Sequence, residues 1–484
     1  MIKQRWIISL ILITISNRSA PLSMSCSYGQ HGSLMSTCYN ANPSFFTRTS
    51  YGFDNFDETV RCVNCTLQVI ESGTFAIRGN QIKYLDLENS QMTVLKEKSF
   101  LGLNFLRKLN LKNNNIVAVP VETFQGAIQI EELIMERNSI TSLVSNGFKE
   151  LTNLKKLNLK DNNIKNIENG SFNGLASLEE LNLANNNIAA IENIFQGLVN
   201  ISLINLEGNN VAKISPFDIQ QSDVLLDLNL AKNSLKTLEK NTFLLLPRLE
   251  NLNLSSNPIA VIKIGAFRGL HSLEQLDLSR CLVDKIPKGL LAALHQLRLL
   301  DLAFNRLTIF QTGVFSGLPQ LRKLNMSHNS IKTYPKTGLF SLHNLHSLDL
   351  SSNNIDDLDY KLLVQDLPAL SFLGLANNFL PCYLKKEIDV IFEHDNLVLD
   401  LGTDVDGLEC NDTRTKPDLV EETYVAPNSN DYVLYVLVTL TLALIAFLFY
   451  VQYQNRRTLI EICRKINMFE TRLTSNVLDV GETY

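Results

Sequence analysis

Six cysteines near the two ends of a long internal segment offer the clearest covalent chemistry in the sequence. They are Cys26, Cys38, Cys62, Cys65, Cys382 and Cys410. In an oxidising compartment, a set of this kind forms disulfides. We expect two bridges within the first four and one bridge between Cys382 and Cys410. The spacing leaves the pairing among the first four undecided.

The spacing Cys62-x-x-Cys65 is also compatible with a zinc or redox site. No second pair of metal ligands accompanies it, so a structural disulfide is the favoured interpretation and no metal site is expected. A further cysteine, Cys281, lies inside the long internal segment. Its setting among apolar residues predicts a small buried side chain rather than a reactive thiol.

Asparagine sequons supply a second kind of covalent chemistry, the attachment of N-linked glycans. The Asn-x-Ser/Thr pattern occurs at Asn64, Asn169, Asn200, Asn253, Asn325 and Asn411. Such sites are modified when they face the secretory lumen. We therefore expect a glycoprotein.

The sequence carries no pattern typical of an active site. Its seven histidines are scattered, and there is no His-Glu-x-x-His, Gly-x-Ser-x-Gly or phosphate-binding loop. We expect no enzymatic activity, no cofactor and no catalytic residue. The formal net charge of −5 also argues against nucleic acid as a partner, because phosphate binding needs a basic field.

Two apolar segments predict how the chain is targeted. Lys3 and Arg5 precede a short apolar run, which is typical of a signal peptide over residues 1–22. Residues 432–453 carry no charge and are long enough to cross a bilayer. Arg456 and Arg457 follow this span, which predicts a single-pass type I protein of the plasma membrane with its N-terminal part outside.

Between the cysteine groups, the pattern L-x-x-L-x-L-x-x-N-x-L recurs thirteen times, and ten of the twelve intervals are 24 residues. We number the positions of each copy from its first residue. The copies begin at Ile82, Leu106, Ile130, Leu154, Leu178, Ile201, Leu225, Leu249, Leu273, Leu297, Leu321, Leu345 and Leu370. A repeat of this length indicates stacked units that share one core.

Each copy predicts a short strand, because apolar residues alternate at positions four and six. One strand cannot bury both leucines, so neighbouring copies must stack into a parallel sheet. Position nine is Asn in eleven copies, and its amide can bond the turn backbones of two successive coils. A Phe recurs at position nineteen and fills the opposite side, which is wider, so the stack must curve.

These copies resemble the leucine-rich repeat family in its 24-residue extracellular form. The chain is similar to Toll-like receptor ectodomains and to insect leucine-rich repeat surface proteins, without a cytoplasmic signalling domain. The resemblance implies an α/β repeat fold: a curved solenoid, or horseshoe, with a parallel β-sheet on its concave face, disulfide caps and one transmembrane helix.

The predicted organisation has seven parts. They are a signal peptide (1–22), a cysteine-containing N-terminal cap (23–81), the repeats (82–380), a C-terminal cap (381–411), a stalk (412–431), the transmembrane helix (432–453) and a cytoplasmic tail (454–484). The tail is too short for a kinase or a Toll-type signalling domain. Its basic and apolar residues predict contact with membrane lipid.

The early repeats carry charges of alternating sign at the strand positions that face the concave side. Arg107-Lys108 is followed one repeat later by Glu131-Glu132, and then by Lys155-Lys156. Opposite charges on adjacent strands attract each other, so a self-paired ladder is the favoured interpretation. A polar recognition surface is the alternative, and the two are compatible.

Later repeats place apolar residues in outward positions, at Leu203, Leu299, Phe304 and Phe372. They form our candidate ligand surface, because exposed aromatic and aliphatic groups can anchor an interface. Scattered surface residues are the alternative. Two sequons, Asn253 and Asn325, fall at position five, so glycans there would crowd the same half of the concave face.

The sequence favours a receptor or co-receptor that binds a protein or other macromolecular ligand and signals only through partners. The alternative is a cell-adhesion molecule that acts by homophilic or heterophilic contact between ectodomains. Both predict a protein ligand or partner receptor at the cell surface, and both allow a homo- or heterodimer. The ligand is not specified, because one scaffold supports unrelated binding surfaces.

Overall fold

The computed structural model describes residues 24–28, 34–47, 56–77, 79–219, 222–309, 311–333, 339–394 and 397–402. The predicted signal peptide, stalk, transmembrane helix and tail lie outside these residues, as do Cys410 and Asn411. Within the described part, no helix is both long and apolar enough to span a bilayer.

The described residues form many short strands and three helices. The helices are α1 (Pro43–Thr47), α2 (Tyr360–Asp366) and α3 (Cys382–His394). The strands are β1 (Ser25–Tyr28), β2 (Met35–Tyr39), β3 (Thr59–Val63), β4 (Val69–Ile70), β5 (Tyr84–Asp86), β6 (Val94–Leu95), β7 (Lys108–Asn110), β8 (Glu132–Ile134), β9 (Ser142–Leu143), β10 (Lys156–Asn158), β11 (Asn166–Ile167), β12 (Glu180–Asn182), β13 (Leu203–Asn205), β14 (Asp227–Asn229), β15 (Thr237–Leu238), β16 (Asn251–Asn253), β17 (Val261–Ile262), β18 (Gln275–Asp277), β19 (Leu299–Asp301), β20 (Lys323–Asn325), β21 (Ser347–Asp349), β22 (Phe372–Gly374) and β23 (Val398–Asp400).

One long sheet, parallel except for β1, confirms the predicted stack. It contains 17 of the described strands, and each repeat contributes the strand at its positions three to five. Successive strands pair without slippage, so that Leu157 lies beside Leu133 on one side and Leu181 on the other. The residue at position four therefore faces inward in every coil. This is the curved leucine-rich solenoid that the repeat predicts.

The core consists of the leucine rows and a spine of phenylalanines at position nineteen. Phe75, Phe100 and Phe124 are fully buried, and their rings stack with centroids 5.9 and 5.6 Å apart. In the sixth repeat, Ile219 takes the place of this Phe. The aromatic rows fill the side opposite the sheet, which keeps the coils wider there.

The asparagines at position nine form the predicted ladder. The Nδ2 of Asn162 donates to the carbonyls of Met135 and Leu159, both at 3.0 Å. Its Oδ1 accepts from the N–H of Ile140 at 3.1 Å. Each amide thus satisfies buried backbone groups of its own coil and of the preceding one, as other copies do. The ladder confirms a structural role for this row.

The sheet starts upstream of Ile82, where the sequence places the first copy. Strand β3 pairs with β5, and β2 pairs with β3 in parallel, with Cys38 beside Cys62. Cys62 and Cys65 occupy the sites that Leu and Asn take in later coils. The repeat therefore continues into the cysteine-rich segment with steps of 25 and 24 residues, and cysteines there replace the residues that define the pattern.

The first four cysteines pair in sequence order. Cys26 bonds Cys38, which joins the antiparallel strand β1 to β2, and Cys62 bonds Cys65 within one coil. Cys382 at the start of α3 is also disulfide-bonded, while Cys410, its predicted partner, lies outside the described residues. Helix α3 packs Leu384 and Ile388 onto the last coil.

Candidate binding surface on the concave face

The concave face is built from positions three and five of each repeat, the two ends of its strand, whose side chains point away from the leucine core. Its N-terminal half carries the alternating charges. Lys108 pairs with Glu132 at 2.8 Å, and Glu131 pairs with Lys155 at 3.0 Å and with Arg107 at 3.7 Å. These pairs bridge neighbouring strands, which supports the interpretation as a ladder.

Two shifted pKa values follow from this ladder. The hydrogen bond and charge of Lys155 lower the pKa of Glu131. The hydrogen bond and charge of Glu180, whose carboxylate lies 2.5 Å from the Lys156 ammonium, raise the pKa of Lys156. Both side chains are well exposed, so each pair contributes at most about 1 kcal/mol. The ladder mainly neutralises this half of the face.

A broad depression of about 540 Å³ lies in the middle of the concave face. Its floor is formed by strands β13, β14, β16, β18 and β19. Leu203 lies at one end and Leu299 at the other, so the structure brings these two predicted residues into one surface. Both are half-buried rather than fully exposed. The three strands between them, β14, β16 and β18, hold Leu203 and Leu299 at a fixed separation.

The residues that line the depression are acidic or neutral, and none of them is basic. Asp227, Asp277 and Asp301 contribute the carboxylates. Burial raises the pKa of Asp301, and the nearby charges of Asp277 and Asp349 raise it further. The depression therefore has a negative potential that its own side chains do not balance, unlike the N-terminal half of the face.

Position eight adds a feature at the margin of this half. Phe304 is 39% exposed and lies between two planar side chains. The Arg280 guanidinium lies 4.0 Å from its ring centroid on one side, and the His328 imidazole stacks at 4.0 Å on the other. Phe304 follows Asp301 by three residues, which places the stack close to the depression.

The backbone fixes this stack in place. All three residues have left-handed φ angles of 53–54°. The N–H of Arg280 donates to the Ala303 carbonyl at 2.8 Å, and the N–H of Phe304 donates to the Ser327 carbonyl at 3.0 Å. Because each coil is bonded to the next at this point, the three planar groups are held in register before any ligand arrives.

The remaining predicted residues divide between the depression and other parts of the surface. Phe372 is half-buried at position three of the last repeat and does not line the depression. Asn253 lines the depression, and Asn325 donates from Nδ2 to Asp301 at 3.1 Å, so both sequons face the concave side as predicted. Asn64, Asn169 and Asn200 are exposed.

Sequence reasoning missed Arg280 and His328, and it missed the acidic row at position five. The signal for the stack was present, since residues 280, 304 and 328 are spaced by 24 and share position eight.

Cys281 is buried, as the sequence predicts. Burial raises the pKa of its thiol to about 11, and its Sγ contacts the carbonyls of Leu254 and Ser279.

Comparison with known sequence families identifies the repeat. A family model described as leucine rich repeat matches residues 59–116, 105–164, 152–211, 223–283 and 281–331. A second leucine-rich repeat model matches residues 341–360. Together these matches cover more than half of the chain. Among curated protein sequences, none matches it.

Several solved structures share the fold. A leucine-rich repeat protein of Leptospira interrogans is 25% identical with a TM-score of 0.61, over 72% of this chain and 84% of that one. The LRIM1/APL1C complex is 19% identical with a TM-score of 0.60, over 94% and 81%. The Toll–Spätzle complex of Drosophila is 20% identical with a TM-score of 0.56, over 67% and 44%.

Proposed function

Because this chain belongs to the leucine-rich repeat family, we propose that it is a cell-surface receptor or co-receptor that binds a protein ligand on its concave face. The observation that carries the proposal is the central depression, where Leu203 and Leu299 flank unbalanced carboxylates beside the rigid Phe304 stack. Such a surface combines apolar anchors with an electrostatic field.

The chemistry of the depression selects the kind of ligand. Asp277 and Asp301 share a negative potential that a lysine or arginine of the partner would neutralise. The two leucines would contact apolar groups on either side of that cation. Phe304 is preorganised by its neighbours, so binding costs little side-chain entropy there. A protein with a basic, partly apolar surface fits these features.

The proposed topology gives this surface access to extracellular partners. The signal peptide, the span over residues 432–453 and the short basic tail would make a type I protein whose repeats lie outside the plasma membrane. Glycans at the sequons away from the depression, cap disulfides and contact with membrane lipid belong to the same proposal. In this proposal the receptor signals through a partner receptor, as a homo- or heterodimer.

One relative favours a leucine-rich repeat chain as the partner. The structure whose match covers 94% of this chain is that of a complex between two proteins, LRIM1 and APL1C. Contact between two such chains on opposed cells would correspond to the second candidate, cell adhesion. The two candidates differ in what the full chain does on intact cells.

Expression of the full chain in non-adherent cells tests both candidates. An antibody against the repeats should stain intact cells, which would establish the topology. Cells that remain single while a soluble basic protein binds them would support the receptor. Clumping that requires the chain on both cells would favour adhesion, and staining only after permeabilisation would contradict both.

A further inference from the structure

A second groove lies away from the concave face, beside the short strands at positions thirteen and fourteen of the repeats. Strand β15 pairs in parallel with β17. In this ladder the N–H at position fifteen donates to the position-fourteen carbonyl of the preceding repeat. The bond from Lys263 to Leu238 is 2.9 Å, and the one from Glu168 to Leu143 is 3.0 Å.

The ladder stops at β17, and a proline rules out its continuation there. Pro287 occupies position fifteen of the next repeat, and proline has no N–H to donate. Nothing in the described part of the chain donates to the Ile262 carbonyl, and no described strand pairs with the outer edge of β17. Pro120 has the same position in the second repeat and interrupts the ladder after β6.

The interruption opens a groove of about 720 Å³ along the free edge of β17. Two β-branched side chains on this edge are unusually exposed, Val261 at 47% and Ile264 at 60%. An uncovered strand edge with apolar side chains is a template for pairing with another chain. Natural proteins usually cover or charge such an edge.

Charge distinguishes this groove from the concave depression. Four cations line it, Lys240, Lys263, Lys285 and Arg306, against two anions, Glu239 and Asp284. None of the four forms an ion pair with another described residue. On the concave face, by contrast, Lys155 and Lys156 are both paired.

We propose that this groove binds an acidic, extended peptide segment of a partner protein, which adds a strand to the free edge of β17. The peptide backbone would donate an N–H to the Ile262 carbonyl, as Lys263 does to the Leu238 carbonyl one repeat earlier. Apolar side chains of the peptide would cover Val261 and Ile264. Its carboxylates would meet the unpaired lysines and Arg306.

An extended peptide suits the groove better than a sulfated sugar chain does. Both would meet the cations, but only a peptide presents amide N–H groups at the spacing of a strand. Only a peptide also presents alternate apolar side chains to the exposed valine and isoleucine. The contribution of backbone pairing therefore separates the two kinds of ligand.

The test uses the full chain and a fluorescent, capped peptide of four Glu-Val repeats. Fluorescence polarisation should show saturable binding. The same peptide N-methylated at alternate residues, which cannot pair as a strand, should bind at least about tenfold more weakly, a loss of about 1.4 kcal/mol. Absence of saturable binding by the unmodified peptide would overturn the proposal.

Restoring the missing N–H provides the sharpest variant. Pro287→Val should let the ninth repeat pair with β17, close the groove and weaken binding by about tenfold or more. Pro120→Val makes the same change at the interruption after β6 and should leave binding unchanged. Equal binding by the two variants would contradict the inference.

Charge reversal gives a test that does not depend on closing the groove. Lys263→Glu with Lys285→Glu should weaken binding by about tenfold or more. Reversal of two exposed lysines outside the groove, Lys165→Glu with Lys213→Glu, should leave it unchanged. A heparin oligosaccharide that outcompetes the peptide and binds Pro287→Val as well as the wild type would reject the peptide in favour of a polyanion site.

Discussion

The Phe304 ring lies flat against the imidazole of His328, with centroids 4.0 Å apart and planes within 8°. The Arg280 guanidinium covers the other face of the ring. Three successive coils thus contribute one side chain each to a stack that only the folded solenoid can assemble. The stack is a direct product of repeat spacing and the left-handed backbone at position eight.

Phe304→Ala removes the middle of this stack. We expect the free energy of unfolding to fall by about 1–2 kcal/mol, since one aromatic and one cation–π contact are lost. Binding of the protein ligand should fall much more, because Arg280 and His328 would no longer be held in place. Denaturant unfolding and cell-surface binding measure the two effects.

Phe105→Ala, at an exposed Phe away from the stack, is the control and should change neither stability nor binding. Equal losses in the Phe304→Ala and Phe105→Ala variants would contradict the role of Phe304.

Asp301→Asn should raise the free energy of unfolding and weaken ligand binding. Burial and the charges of Asp277 and Asp349 raise the pKa of Asp301, so its ionised form destabilises the fold at neutral pH. The stabilisation by Asn should shrink as pH falls through the raised pKa, where Asp301 becomes neutral. Binding of a basic ligand should weaken.

Unfolding curves at pH 7 and at acidic pH, for Asp301→Asn and for the exposed control Asp356→Asn, check this expectation. A destabilised Asp301→Asn variant, or a gain that grows on acidification, would contradict the assigned cause of the pKa shift.

Asn162→Ala should be among the most destabilising polar-to-alanine changes. It leaves the buried Ile140 N–H without its acceptor, while the Met135 and Leu159 carbonyls each keep one amide donor, from Asn138 and Asn186. We expect a loss of about 1–3 kcal/mol in the free energy of unfolding, which is the cost of one buried unpaired group. The neighbouring Asn163→Ala, at an exposed side chain, serves as the control, and a comparable loss there would refute the ladder.

Cys281 should be inert in the folded protein. Its thiol is buried and its pKa is raised to about 11, so almost no thiolate is present at pH 8. Iodoacetamide should modify it only after denaturation. Because the folded pKa lies above the unfolded value, this thiol's contribution to stability should be full below about pH 9 and disappear as pH rises through 11. Rapid native alkylation at pH 8 would show that the thiol is accessible.

Much of the fold was predictable because each copy of the repeat carries similar residue types at the same positions. The leucines at positions four and six predict the strands, and the Asn row predicts the ladder. The two coils upstream of Ile82 were missed because Cys38, Cys62 and Cys65 stand where Leu or Asn would have continued the pattern. A search by residue position, rather than by residue type, would have found them.

The binding surface was less predictable for a physical reason. Outward positions are free of packing constraints, so their residue types carry little information until the strands are aligned. Leu203 and Leu299 were recognised as apolar, but their shared depression emerges only from the register of the five strands between and including them. Phe372 has the same residue character and lies outside that surface.

The groove along the free edge of β17 shows the opposite situation. Pro287 and Pro120 are visible in the sequence, but the consequence of a missing N–H depends on which carbonyl it would have met. That carbonyl belongs to the preceding coil, 25 residues earlier in the case of Ile262 and Pro287. Proline has no N–H to donate, and its position within the repeat shows which strand edge, here that of β17, is left exposed.

The most direct measurement for the central claim is proximity labelling on intact cells that express the full chain with either of two double substitutions. Leu203→Glu with Leu299→Glu places charges at both ends of the concave depression. Val121→Glu with Leu244→Glu makes the same change at exposed apolar residues outside the strands of the sheet. We predict that surface proteins labelled by the wild-type chain disappear with the first pair and persist with the second. An identical set of labelled proteins for all three chains would show that the concave face is not where partners bind.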